Sequence, residues 1–206
     1  MHRSDGRGMS RRGFLKGAGV AAAGAALVET SVESLAQDAK ESRAVLGPGP
    51  VPVTLKINGI DKQLNIEPST TLAEALRINL DLTGTKIVCD RGACSACTVW
   101  IDNVPVNSCL TFALDARGKE IKTIEGLASG EKLHPIQEQF IEHDAMQCGF
   151  CTPGMIMSCA SLLEKNKKPT LDDVKQACSG NLCRCGTYPK VFDATLAAAK
   201  QISKQA

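Results

Sequence analysis

The stretch Cys89-Asp90-Arg91-Gly92-Ala93-Cys94-Ser95-Ala96-Cys97-Thr98-Val99 decides how this chain is read. Three thiols fall within nine residues, spaced Cx4CxxC, and Cys109 follows after eleven more. A loop this tight must curl around whatever its thiols share. The spacing is that of plant-type [2Fe–2S] sites, in which two irons share two sulfides and each iron takes two thiolates. A loop bent around such a cluster also turns backbone N–H groups toward its sulfurs, which offsets the negative charge. Gly92 suits that close approach because it carries no side chain.

Outward from this loop the chain reads as a small α+β domain. Val53-Thr54-Leu55-Lys56-Ile57 and Gln63-Leu64-Asn65-Ile66 alternate apolar and polar residues around Asn58-Gly59, which predicts a β-hairpin. Thr71-Leu72-Ala73-Glu74 is a capping box, and Leu72, Ala75, Leu76 and Leu80 continue at helical spacing. Thr98–Ile101 and Ile121–Ile124 read as strands. The domain spans 53–128. From 129 to 206 the pattern turns helical, with helices predicted over 133–143, 153–166, 171–178 and 189–204. Short connections between them predict a compact four-helix unit.

The helical half holds a second set of thiols. Cys148-Gly149-Phe150-Cys151 is followed, thirty-one residues on, by Cys183-Arg184-Cys185. Taken alone, CxxC with CxC fits four-cysteine zinc or an iron–sulfur centre. Beside the first loop, iron–sulfur is the preferred reading. A purely disulfide framework is the other alternative, but a chain of this size buries a core without such staples. Cys159 and Cys178 complete the ten cysteines and read as small buried hydrophobes.

The N-terminus is an address. Arg3, Arg7, Arg11, Arg12 and Lys16 precede twelve uncharged residues, Gly17–Val28, and Ser34-Leu35-Ala36 offers a cleavage site. Twelve residues are too few to span a bilayer. Ser10-Arg11-Arg12-Gly13-Phe14-Leu15-Lys16 resembles the twin-arginine export motif, a route that carries folded, cofactor-loaded proteins to the periplasm. Residues 1–36 are therefore expected to be removed, and 37–52, with Gly47-Pro48-Gly49-Pro50, to form a linker. The whole chain carries 24 Lys+Arg and 22 Asp+Glu. The remainder after cleavage holds 19 of each. That neutrality, with only seven aromatic side chains, argues against nucleic acid as a partner. No phosphate-binding or dinucleotide fingerprint occurs.

Across 53–206 the segments CDRGACSACTV (89–99), SCLT (108–111), IEGL (124–127), HPIQ (134–137), QCGFCTPGM (147–155) and GNLCRCGTY (180–188) resemble the small iron–sulfur subunit of molybdenum hydroxylases. With the export signal, the likeness is greatest to the subunit of a periplasmic aldehyde oxidoreductase. The resemblance implies a plant-ferredoxin-like β-grasp domain with one [2Fe–2S] cluster on Cys89, Cys94, Cys97 and Cys109. It implies a four-helix domain with a second on Cys148, Cys151, Cys183 and Cys185. It further implies a large catalytic partner holding molybdopterin, approached by Gln147 and Cys185, and an FAD subunit or other acceptor beside the first cluster. Electrons would run from the partner through the second cluster to the first. The chain itself would supply no catalytic residue, and no stable membrane span is expected. The partners are expected to be exported with this chain, on its signal, as a folded assembly. A free-standing periplasmic ferredoxin-type carrier is the alternative. Ser95 departs from the resemblance by standing where glycine is usual. His134 and His143 are not read as ligands, since His134-Pro135 starts a helix, and Trp100 is read as core.

Overall fold

The computed structural model describes residues 46–205. The export signal, its cleavage site and most of the expected linker lie outside the described residues. A five-stranded mixed sheet comes first, in the order β2-β1-β5-β3-β4. Strands β1 (Val51–Ile57) and β2 (Ile60–Ile66) form the expected antiparallel hairpin through Asn58-Gly59, both at positive φ. β1 begins two residues before the expected Val53 and already pairs Val51 with Ile66. Along β1 the side chains alternate, so Val53, Leu55 and Ile57 are buried. Each such side chain contributes about 1.5–3 kcal/mol of apolar burial.

Thr71 caps the short helix α1 (Leu72–Glu74) through the reciprocal hydrogen bonds its capping box promises. The helix widens into a π-helical turn, Ala75–Asn79, and lays Leu72 and Leu76 on the sheet. Strands β3 (Thr98–Ile101), β4 (Val104–Asn107) and β5 (Glu120–Lys122) follow. β5 pairs parallel with β1 and antiparallel with β3, so the helix and cysteine loop cross over one face of the sheet. This is the β-grasp arrangement.

Four helices complete the chain: α2 (Pro135–Glu142), α3 (Thr152–Lys165), α4 (Leu171–Cys178) and α5 (Tyr188–Gln205). His134 caps α2, its Nδ1 accepting from the Ile136 N–H at 3.2 Å, while Gln137 returns the bond. Burial holds the His134 pKa below the usual imidazole value. Thr170 and Asp173 form the matching box on α4. α3 is buried on nearly all sides and is the axis of the helical half.

Strand β3 joins the two halves. Its alternation sends Val99 and Ile101 into the sheet core and Trp100 into the helical core. The Trp100 indole N–H donates to the Met157 carbonyl of α3 at 2.9 Å, so the polar edge of a buried ring is satisfied. Among the described residues, no helix is long and apolar enough to cross a membrane.

Two candidate metal centres

Loop 89–97 leads into β3. Its chain reverses through three left-handed residues, Asp90 (φ 53°), Gly92 (φ 69°) and Ser95 (φ 52°). Successive turns of this kind aim backbone N–H groups into one concavity, a nest that attracts negative charge. The N–H groups of Arg91, Ala93 and Cys94 bond the Cys89 thiol, and the Arg91 contact leads in lowering its pKa to about 7. The Gly92 N–H reaches the Cys109 sulfur at 3.4 Å. A β-carbon on Gly92 would lie 2.3 Å from Leu110 Cδ1, the end of an exposed side chain that can swing aside, so it is the left-handed φ that favours glycine here.

Cys109 sits on the 3-10 turn Ser108–Leu110, and the Ser108 hydroxyl donates to the Cys97 carbonyl at 2.7 Å. The four thiols gather as two pairs. Cys89 lies within hydrogen-bonding reach of Cys94, and Cys97 of Cys109. Burial, reinforced by Cys97, pushes the Cys109 thiol up to about 11. Loading all four as thiolates therefore releases protons.

The second quartet is built from helix ends. Cys151 is the residue that opens α3, and Gly149 turns the chain at φ 83° so that the Phe150 N–H bonds Cys148. Here too the thiols pair, Cys148 with Cys185 and Cys151 with Cys183. Burial, together with Cys183, pushes Cys151 up to about 12. Burial works in the same direction on Cys183, but the Thr187 hydroxyl at 3.2 Å and the N–H groups of Thr187 and Gly186 outweigh it and bring that thiol to about 7.

Tyr188 fixes the CxC segment: its oxygen accepts from the Cys183 N–H at 2.8 Å and its O–H donates to the Asn181 carbonyl at 3.0 Å. Tyr188→Phe is expected to lose both bonds and destabilise the holoprotein by about 1–3 kcal/mol. A lower urea midpoint for bleaching of the second centre, with the first unmoved, would show it.

Both donor sets fit [2Fe–2S] clusters. A mononuclear zinc site needs four donors around one point, whereas the thiols here stand as two pairs in each quartet. Two thiols beside two thiols, with N–H groups aimed at sulfur, is the demand of a binuclear cluster. The centres differ in exposure. Cys94, Cys97 and Cys109 are buried, whereas Cys148 and Cys185 are exposed. An open groove of ≈ 420 Å³ brings Gln147 and Cys185 together with Met146, Thr187 and Lys190. Phe150 and Leu182 stand exposed on the same cysteine segments.

The two loops also grip each other. Asn181, nearly fully buried, donates to the Ser95 carbonyl at 3.0 Å, and the Leu182 N–H donates to the Cys94 carbonyl at 3.1 Å. Ser95 does adopt the left-handed conformation that makes serine costly there. Ser95→Gly is expected to stabilise the loop by roughly 1 kcal/mol, seen as a raised urea midpoint for bleaching of the first centre. Neither histidine enters a centre: His134 caps α2 and His143 follows its end. Cys159 and Cys178, read separately as packing residues, are buried as expected but lie against each other, with their sulfurs 3.3 Å apart.

The geometry defines a protein of two [2Fe–2S] centres, and comparison with known families agrees. Residues 55–124 match the 2Fe-2S iron-sulfur cluster binding domain, 123–196 the [2Fe-2S] binding domain, and 8–28 the twin-arginine translocation pathway signal sequence. The chain is 40% identical over 209 residues to the aldehyde oxidoreductase iron-sulfur-binding subunit PaoA of Escherichia coli O157:H7, covering 94% of this chain and 90% of that one. It is 44% identical over 155 residues to the nicotine 6-hydroxylase small subunit of Paenarthrobacter nicotinovorans, covering 75% and 93%. Among solved structures, quinoline 2-oxidoreductase from Pseudomonas putida 86 superposes with a TM-score of 0.73 at 44% identity, covering 76% of this chain and 98% of that chain. The chain belongs to the family of iron–sulfur small subunits of molybdenum hydroxylases. It is thus an electron-transfer subunit of an oxidoreductase complex rather than a free-standing ferredoxin, and its signal directs it to the periplasm by the twin-arginine route.

Proposed function

We propose that Cys89, Cys94, Cys97 and Cys109 hold the first cluster and Cys148, Cys151, Cys183 and Cys185 the second. The groove of Gln147 and Cys185 receives the molybdopterin edge of a large catalytic subunit, and the outer cluster serves an FAD subunit or another acceptor. Each cluster, when bound, supplies a one-electron redox centre. The chain's own residues set the environment. Backbone N–H groups of 91–94 and 186–187 stabilise thiolate charge, and Tyr188 and Asn181 hold the loops in register. Exposed Phe150 and Leu182 provide an apolar rim for docking. The observation that carries this reading is the meeting of Gln147 and Cys185 in one open groove beside the second quartet.

The partner's substrate is an aldehyde. An alignment covering 94% of the chain must run into the N-terminal 45 residues, whereas that with the nicotine hydroxylase relative covers 75%. Kinship with an aldehyde oxidoreductase subunit therefore extends toward the export segment. Hydroxylation of a nitrogen heterocycle is the second reading, favoured by 44% identity to subunits of nicotine- and quinoline-oxidising enzymes. Purification of the exported chain decides. Co-purification with a molybdenum-containing large subunit, reduced by an aldehyde panel and not by quinoline or nicotine, is expected. A lone monomer active as a carrier would overturn the subunit docking, and reduction by heterocycles alone would overturn the substrate.

A further inference from the structure

Two of the ten cysteines belong to neither quartet. Cys159 lies mid-way along α3 and Cys178 closes α4, nineteen residues later. Their sulfurs are 3.3 Å apart and both thiols are buried, Cys159 completely and Cys178 to 2% exposure. The Thr195 hydroxyl of α5 approaches Cys159 but already donates to the Val191 carbonyl at 2.7 Å. Each thiol's close sulfur neighbour is thus the other. A disulfide holds its sulfurs about 2.05 Å apart, so the pair needs to close by roughly 1.3 Å. The chain is exported to the periplasm, a compartment in which disulfides form and persist.

We propose that Cys159 and Cys178 form a disulfide after export, and that the oxidant is a small peroxide. Burial decides the class of oxidant, because a protein disulfide cannot reach either sulfur in the folded chain. The chemistry balances in two steps. One sulfur attacks a peroxide oxygen, forming S–O and breaking O–O, which yields a sulfenic acid and, with hydrogen peroxide, one water. The second sulfur then attacks the sulfenic sulfur, forming S–S and breaking S–O. The thiol proton leaves with that oxygen as a second water. Two thiols lose two electrons and two protons, and one peroxide becomes two waters.

The bond would tie α3, opened by Cys151, to α4, which ends five residues before Cys183. It braces both limbs of the second quartet without using a quartet thiol. The oxidised protein is therefore expected to keep its second centre to higher urea than the reduced one.

The test is a thiol count on the native exported complex, quenched in acid, unfolded and alkylated without reductant. Eight alkylated cysteines of the ten are expected, with a bridge assigned by fragment mass spectra to Cys159 and Cys178. Ten are expected after reduction, and ten in protein kept in the cytoplasm by deletion of its signal. Hydrogen peroxide added to that cytoplasmic protein should lower the count to eight. Cys178→Ala should abolish the bridge while iron content and both EPR signals persist. Ten alkylated cysteines in the exported wild type, or a bridge to a quartet cysteine, overturns the disulfide. Should the variant fail to fold, the wild-type count still decides. A count that peroxide leaves at ten overturns the oxidant.

Discussion

Replacing Cys183 by Ser is expected to lower the iron from about four to about two atoms per chain, as two [2Fe–2S] centres require. One of two EPR signals of the reduced protein should vanish while the other keeps its shape. The expectation follows from the pairing of thiols. Cys183 stands with Cys151 beneath the Thr187 hydroxyl, the less exposed pair of the second quartet, and serine oxygen is a poor substitute for thiolate there. The first quartet draws its thiols from loop 89–97 and the turn at Cys109, so its four donors are untouched. Simultaneous loss of both signals would mean that the two sets do not assemble independently.

Gly154→Ala is expected to have the second large effect, at a distance from any thiol. A β-carbon there would lie 2.3 Å from the Ser95 carbonyl oxygen and 3.1 Å from the Ala96 Cα. Both are backbone atoms, and the same carbonyl is held by Asn181 and by the Thr98 hydroxyl at 2.7 Å. Nothing flexible can yield, so α3 must withdraw from the first cysteine loop. The cost is about 1–3 kcal/mol for overpacking of this kind, with the bonds from Asn181 to Ser95 and from Leu182 to Cys94 at risk besides. The expected outcome is a lower thermal midpoint and a perturbed EPR signal from the first centre. Wild-type stability with both signals unchanged would contradict the packing described.

Much of this was legible in the residues. The cysteine spacings announced two quartets, because ligand geometry leaves few ways to wrap a short loop around a cluster. Alternation and capping boxes placed β1, β3 and α4, since local hydrogen bonds and burial dominate there. β4 was not foreseen. Val104-Pro105-Val106-Asn107 looks unlike a strand because Pro105 lacks a donor, yet β4 lies on the sheet edge, where that loss is tolerated. The turn before it, Asp102-Asn103 with both φ positive, is a hairpin signal that the sequence did contain.

Contacts between distant residues left no such trace. Asn181 reaches Ser95 across 86 positions, and Gly154 reads as an ordinary helical glycine until Ser95 is seen against it. Tyr188 and Thr187 were visible as part of a motif, but their grip on Cys183 comes from the turn that folds back on it. The meeting of Cys159 and Cys178 likewise depends on how α3 packs on α4, which periodicity does not register.

Metal analysis with EPR of the reduced, exported complex tests the central claim most directly. About four irons per copy of this chain, no stoichiometric zinc, and two distinct [2Fe–2S] signals are expected. Zinc in the second quartet, or two irons with a single signal, would contradict it.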